Sequence, residues 1–167
     1  ILNTSLKKWL KRAPRPMLAS VVFFAIAYLI NHSGVNGSWE MVDPSRNMVV
    51  VIAGAASQGF GQLYPAVAPF LGLLSGFISG SETSAIAMLT AIHLSTAEKI
   101  GAVGLLIAAA SGIGGGLASV ISPAKLQNAA ASIDMIGEES KVIRVTFVIS
   151  LVLTSVAAVM TMLWAFS

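Results

Sequence analysis

The sequence has no cysteine, so disulfide bonds are excluded and cysteine usage indicates no redox compartment. Charged residues are also scarce, at 10% of 167 residues, whereas soluble domains have about a quarter. Hydrophobic residues make up 56%, and the mean hydropathy is +0.84. We therefore predict an all-α integral membrane protein. The sequence has neither a metal-ligand spacing nor a nucleophile–base pair, so we expect no enzyme, no metal and no cofactor.

The few charges are unevenly distributed. The net charge is +3, and five of the ten Lys and Arg residues precede the first apolar run: Lys7, Lys8, Lys11, Arg12 and Arg15. A basic flank beside an apolar segment indicates the cytoplasmic side of a membrane, so we do not expect a nucleic-acid partner. We divide the chain into a basic cytoplasmic or interfacial stretch, residues 1–16, and a transmembrane domain, residues 17–167.

Two apolar stretches are typical of plain membrane spans, which need about 20 residues. Residues 17–30 reach that length with their flanks, over residues 13–31, and residues 142–166 are long enough by themselves. With the basic stretch inside, the polar connection at residues 31–47 lies outside. We therefore predict spanning helices at both ends of the domain.

A third apolar run, residues 65–93, is interrupted once by the small and polar residues 80–84. The arms on either side, residues 66–79 and 85–94, are too short to cross a bilayer, since 14 residues of helix measure about 21 Å. We predict a re-entrant hairpin that turns at residues 80–84. A single kinked spanning helix is the alternative.

A fourth apolar run is interrupted by the glycine-rich residues 111–116. Ser122 and Pro123 then supply an N-cap and a first helical position, and the new helix is predicted to reach Ile136, with Gly137 as its stop. This is the pattern of a broken helix. Two such interruptions at membrane depth are typical of the substrate and ion site of a transporter. Tight packing of the glycines against a neighbouring helix is the alternative.

The residues at the interruptions suit a small organic anion. Helices that begin there, after Ser84 and at Ser122, present free N–H groups and a partial positive charge. The hydroxyl groups that can donate to a carboxylate are those of Ser81, Thr83, Ser84, Ser111 and Ser122. Lys125 is expected either to face the anion or to extend to the membrane interface.

Glu82 is the only acid between Asp43 and Glu98. A charged carboxylate at membrane depth is costly, so an acid there is by default functional, and we predict that Glu82 carries a coupling proton. A wet hairpin tip or an ion pair with Lys125 are the alternatives. His93 is expected at the membrane interface, with a proton-relay role as the alternative.

Five motifs also carry a family resemblance. They are Ala-Pro-Phe-Leu-Gly at 68–72, Phe-Ile-Ser-Gly-Ser-Glu-Thr-Ser at 77–84, Ala-Ser with its glycines at 110–116, Ile-Ser-Pro at 121–123, and Gly-Glu-Glu-Ser at 137–140, followed by Arg144. In this order, across roughly residues 46–166, the chain resembles the C-terminal part of the bacterial L-lactate permease family, which includes glycolate permeases.

The resemblance implies a multi-pass carrier of the bacterial inner membrane, a proton-coupled symporter of L-lactate, glycolate or a related small 2-hydroxymonocarboxylate. It also implies an ion-transporter superfamily with two inverted repeats, each holding a hairpin and a broken helix. This chain would be one such half, a fragment that needs the remaining half of the permease. By position, the hairpin-tip role falls to Gly80, Ser81, Glu82, Thr83 and Ser84, and the broken-helix role to Ser111, Gly114, Gly115, Ser122 and Pro123.

Other functions stay open at this point. One is a carrier of another organic anion, such as a dicarboxylate, with sodium coupling. Another is a non-transporting membrane scaffold or a channel subunit, although a scaffold requires neither Glu82 nor two convergent helix starts. The side on which the hairpin opens is also open, because it depends on whether residues 48–64 cross the membrane fully.

Overall fold

A computed structural model of the chain describes residues 3, 6–7, 9–10, 14–40, 42–133, 135 and 137–167. Its helices, after the helical residues before position 11, are α1 (Pro14–Asn31), α2 (Met48–Phe60), α3 (Tyr64–Ser79), α4 (Glu82–Ile100), α5 (Gly104–Leu117), α6 (Pro123–Ser132) and α7 (Glu139–Trp164). Short 3-10 turns lie at Pro44–Arg46, Gly61–Leu63 and Ala118–Val120. No β-strand occurs within these described ranges, so the all-α prediction is confirmed.

Two apolar helical stretches are long enough to cross a membrane, by length and composition. They are Met48–Ser79, with 32 residues and a mean hydropathy of 1.3, and α7, with 26 residues and a mean hydropathy of 2.3. The stretch predicted as the first span forms α1. Large apolar side chains such as Leu29, Val145 and Leu163 are exposed on the described chain, as lipid-facing side chains are.

Helices α3 and α4 form a hairpin. The Tyr64 hydroxyl oxygen lies 2.8 Å from Nδ1 of His93, although the two residues are 29 positions apart. One continuous helix would separate them by about 44 Å, so the chain reverses and the single kinked helix is excluded. The turn is shorter than predicted, because α4 already begins at Glu82 and only residues 80–81 are non-helical. Both arms are also longer than predicted, at 16 and 19 residues, because α3 begins at Tyr64 and α4 continues to Ile100.

The predicted gap at residues 111–116 is wrong, because α5 runs through these glycines as a regular helix. Their role is close packing. A Cβ atom at Gly114 would lie 1.9 Å from the carbonyl oxygen of Pro69, and one at Gly72 would lie 1.8 Å from that of Ser111. The backbones of α3 and α5 therefore touch, which only glycine permits at these positions. A glycine-rich sequence predicts a gap and a close contact equally well, and here the contact forms.

The real interruption follows α5. The 3-10 turn Ala118–Val120 and residues 121–122 separate α5 from α6, and Pro123 is the first residue of α6, as predicted. Helix α6 ends at Ser132, earlier than the predicted Ile136, which lies outside the described residues. Half-helix, interruption and half-helix therefore occur in the predicted order, with the interruption at residues 118–122.

Candidate functional site at the hairpin tip

Local hydrogen bonds define the turn between α3 and α4. Gly80 has φ 65°, a left-handed conformation that suits glycine, and its N–H donates to the Gly76 carbonyl at 2.9 Å. The Ser79 hydroxyl donates to the Ser81 carbonyl at 3.0 Å. Ser81 Oγ in turn accepts the N–H of Ser84 at 3.3 Å and caps α4. Ser81, which is predicted to bind substrate, therefore also caps the N-terminus of α4.

The predicted tip residues differ in exposure. Ser84 is 2% exposed, Ser81 is half-buried, and both Glu82 and Thr83 are exposed on the described chain. Glu82 lies in the first turn of α4, where the helix dipole favours a carboxylate. The side chain predicted to carry a proton is therefore accessible and held at a helix N-terminus.

The tip packs on the last turn of α5. A Cβ atom at Gly115 would lie 3.4 Å from Cβ of Ala85 and 3.8 Å from Cα of Glu82. A Cβ atom at Gly116 would lie 3.4 Å from the carboxyl carbon of Glu82. Since these two glycines have no side chains, the start of α4 and the Glu82 carboxylate lie directly against α5.

The second interruption lies just beyond Gly116. Ser122 is 1% exposed, and its hydroxyl has no hydrogen-bond partner among the described residues. Its N–H donates to the Ala118 carbonyl at 2.9 Å. Lys125 lies in the first turn of α6, and its Nζ donates to the Ser119 hydroxyl at 2.7 Å. The Lys125 ammonium group is therefore folded back onto the turn that follows α5.

These contacts bring an acid and a base to neighbouring positions. Glu82 lies against Gly116 in the last turn of α5, and Lys125 binds Ser119, three positions later in the 3-10 turn that follows α5. Within the described part of the chain, the ion pairs are Asp43–Arg46 and Glu138–Lys141, so Glu82 and Lys125 are not paired with each other. An ionisable acid therefore lies at the end of α5, and a cationic group lies on the 3-10 turn that follows it.

Three predicted residues lie elsewhere. Ser111 and Gly114 belong to the packing of α5 against α3, and Ser111 is 4% exposed. His93 is not followed by a polar loop, because α4 continues to Ile100, and it is 1% exposed between helices; its position relative to the membrane interface stays a prediction. The sequence did signal His93 as a lone histidine inside an apolar run, but only the fold supplies Tyr64 as its partner.

Away from the hairpin tip, Asp43 organises the connection between α1 and α2. Its Oδ1 accepts hydrogen bonds from the Ser45 hydroxyl at 2.7 Å and the Ser45 N–H at 2.9 Å. These bonds hold the pKa of Asp43 below its ordinary value of 3.8. Asp43 therefore stays charged as the cap of the turn Pro44–Arg46 and has a structural role.

Comparison with known proteins gives a consistent set of relatives. The profile of the family described as L-lactate permease matches residues 2–166. The chain is 33% identical over 151 residues to glycolate permease GlcA of Escherichia coli (strain K12). The aligned region covers 90% of this chain and 24% of that protein. It is 31% identical over 157 residues to the L-lactate permease of the same strain, covering 94% of this chain and 26% of that protein.

A more distant relative is the L-lactate permease of Bacillus subtilis (strain 168), which is 28% identical over 161 residues, or 96% of this chain and 26% of that protein. The chain thus spans about a quarter of the length of the curated relatives it matches. No solved structure matches it.

Proposed function

Because this chain belongs to the L-lactate permease family, we propose that it is part of a secondary carrier for L-lactate, glycolate or a related small 2-hydroxymonocarboxylate, driven by proton symport. The names of the relatives support the two substrates. The observation that supports the mechanism is that Glu82 lies against Gly116 at the end of α5 while Lys125 binds Ser119 in the 3-10 turn just after it.

The carboxylate of the substrate would bind between two helix N-termini. Lys125 supplies the positive charge, and the N-terminus of α6, with the buried Ser122 hydroxyl, supplies hydrogen-bond donors. Ser81, Thr83 and Ser84 would donate from the start of α4. A small anion with a 2-hydroxyl group offers acceptors and a donor that match this set of side chains.

Glu82 would carry the coupling proton. Its carboxylate lies against Gly116, one turn from the Ser119 hydroxyl that binds Lys125. A negative Glu82 repels an incoming carboxylate, whereas a protonated Glu82 removes that repulsion and adds a donor. Proton and anion therefore favour each other's binding, which is the requirement for symport.

The membrane arrangement is part of the proposal. We infer that the α3–α4 hairpin is re-entrant and that α5 and α6 are the two halves of a broken helix, within one of two inverted repeats of a multi-pass protein of the bacterial inner membrane. The hairpin fold, the interruption at residues 118–122 and two apolar stretches of spanning length support it. The remaining part of the permease would complete the site.

The test is uptake by the full-length protein that carries this chain, reconstituted in proteoliposomes. Labelled L-lactate, glycolate and a C4 dicarboxylate are offered separately under an imposed proton gradient or an imposed sodium gradient. We expect accumulation of the two hydroxy acids under the proton gradient alone. Sodium-driven uptake of the dicarboxylate would contradict this proposal and support a sodium-coupled dicarboxylate carrier. Absence of uptake under either gradient would contradict any carrier function and support a scaffold or a channel subunit.

The role of Glu82 needs a matched control. Glu82→Gln removes the ionisable group at the tip, and Glu98→Gln makes the same change at the far end of α4, also on an exposed residue. We expect Glu82→Gln to abolish proton-driven accumulation but to retain exchange of unlabelled for labelled substrate. Glu98→Gln is expected to match the wild type. Intact accumulation in Glu82→Gln contradicts the role of Glu82.

A further inference from the structure

Two hydroxyl groups of α7 bind the backbone at the interruption between α5 and α6. Thr146 Oγ1 donates to the carbonyl oxygen of Val120 at 3.0 Å, and Ser150 Oγ donates to that of Leu117 at 3.3 Å. Since Thr146 and Ser150 are four positions apart, they lie on one face of α7. One carbonyl belongs to the last residue of the 3-10 turn and the other to the last residue of α5. Helix α7 therefore binds the chain on both sides of Ser119.

The sequence explains why the carbonyl of Val120 takes its donor from another helix. A 3-10 turn pairs each carbonyl with the N–H three residues later, and that residue is Pro123, which has no N–H. The N–H groups of residues 121 and 122 both donate to the Ala118 carbonyl, at 3.1 and 2.9 Å. The hydroxyl of Thr146 thus supplies a bond that the proline removes.

The same turn carries side chains of the proposed substrate site. The Ser119 hydroxyl accepts from Lys125 Nζ at 2.7 Å, and the buried Ser122 hydroxyl has no hydrogen-bond partner among the described residues. Each of these two serines lies within two positions of a carbonyl that α7 binds. A shift of the turn would therefore move Ser119, and with it the ammonium group that Ser119 binds.

We propose that Thr146, assisted by Ser150, is a positioning residue of the substrate site: its hydroxyl fixes the turn after α5, and the turn fixes Lys125. This inference rests on the proposed transport function. Thr146 acts through the backbone of the turn, whereas Lys125 supplies the charge that binds the substrate carboxylate. Helix α7 thereby contributes to substrate binding as well as being long enough to span the membrane.

The test variant is Thr146→Val in the full-length protein that carries this chain. Valine keeps the branched Cβ of threonine but has no hydroxyl donor. Thr146 Oγ1 also lies 2.9 Å from the Val142 carbonyl oxygen of its own helix. The matched control is Thr90→Val, because Thr90 Oγ1 donates to the Ile86 carbonyl of its own helix at 2.8 Å. Both variants lose an intrahelical bond, and Thr146→Val also loses the bond to Val120.

Uptake of labelled L-lactate and glycolate under a proton gradient gives KM and the maximal rate. Thr146→Val is expected to raise KM roughly threefold to tenfold, the effect of one neutral hydrogen bond, and to keep the maximal rate within about twofold. Thr146→Ser keeps the hydroxyl and is expected to restore the wild-type KM. Ser150→Ala is expected to raise KM less, because its bond is longer, and Thr90→Val is expected to match the wild type.

A double variant separates positioning from a general structural defect. Because Thr146 acts through Lys125, adding Thr146→Val to Lys125→Gln is expected to change KM by less than about twofold. A defect unrelated to Lys125 would instead add its full effect.

Hydrogen exchange gives a readout that needs no transport. The amides of residues 121–122 donate to the Ala118 carbonyl within the turn, so their exchange is expected to be faster in Thr146→Val than in the wild type. Thr90→Val is expected to leave it unchanged. If Thr146→Val fails to insert into the membrane, Ser150→Ala is measured in the same assays.

The outcomes separate the two proposals. A wild-type KM in Thr146→Val overturns the inference, and so does unchanged exchange at residues 121–122. An increase in KM that Thr90→Val shows equally, or that adds in full to the effect of Lys125→Gln, also overturns it. Absence of uptake by the wild type under any gradient instead overturns the proposed function.

Discussion

Replacing Gly72 by alanine tests the central contact of the fold. Gly72 is buried on α3, and a Cβ atom there would lie 1.8 Å from the Ser111 carbonyl oxygen and 2.8 Å from the Ser111 hydroxyl. Ordinary contact begins near 3.4 Å, so a methyl group requires α3 and α5 to move apart by about 1.6 Å. The obstacle is backbone, which cannot rotate away as a flexible side chain does.

The expected magnitude combines two opposing effects. Alanine is the better helix former by about 1 kcal/mol, which favours the variant. Overpacking a close-packed interior costs about 1–3 kcal/mol, and contact with rigid backbone puts Gly72→Ala at the upper end. We expect the free energy of unfolding to fall by about 2 kcal/mol net.

The matched control is Gly54→Ala on α2, because a Cβ atom at Gly54 meets nothing within 4 Å. This variant is expected to be stabilised by up to about 1 kcal/mol. Both are measured on the full-length protein in detergent, by thermal unfolding and by titration with SDS. Equal stability of the two variants would refute the close contact between α3 and α5.

Two further substitutions probe the site and the connection. Lys125→Gln is expected to raise the KM for lactate uptake roughly ten- to a hundredfold, since a hydrogen bond to a charged group is worth about 1.5–3 kcal/mol. The control variant Lys99→Gln is expected to leave KM unchanged. Equal KM values in the two variants would contradict a contact between Lys125 and the substrate. Asn47→Ala is expected to cost roughly 2–4 kcal/mol of stability, because the Asn47 side chain accepts from Val50 N–H at 3.1 Å and donates to the Ser33 carbonyl at 2.7 Å. Asn47→Ser keeps a capping acceptor without the reach to the Ser33 carbonyl and is expected to lose about half as much, so an equal loss in the two variants would show that the cap contributes nothing.

Local sequence signals predicted well where helices of this chain begin and end. Pro123 begins α6 as expected, because a first-turn proline depends only on neighbouring backbone, whereas Ser122 precedes the helix without a side-chain hydrogen bond to it. Gly80 ends α3 in the left-handed conformation for the same reason. The hairpin was predictable from the length of its arms, although α4 begins at Glu82 and is longer than expected. Such features require no knowledge of the rest of the fold.

Features that depend on distant residues were not predictable. Whether Gly114 opens a gap or packs against a neighbour is decided by Pro69, which lies 45 positions earlier in the sequence. His93 depends in the same way on Tyr64. In both cases the residue type indicated a special position, and only the helix pairing showed what the position does.

The unbroken course of α5 strengthens the candidate site even though it contradicts one prediction. A gap at residues 111–116 would have removed the helical relation between Gly116 and Ser119. Because α5 instead remains helical to Leu117 and tightens into a 3-10 turn, these two residues lie on one face. The same glycines that pack α5 against α3 also leave the room in which Glu82 lies. The end of α5 and the 3-10 turn after it thus receive Glu82 from the hairpin and Lys125 from α6, and the proposed coupling of proton and anion rests on this arrangement.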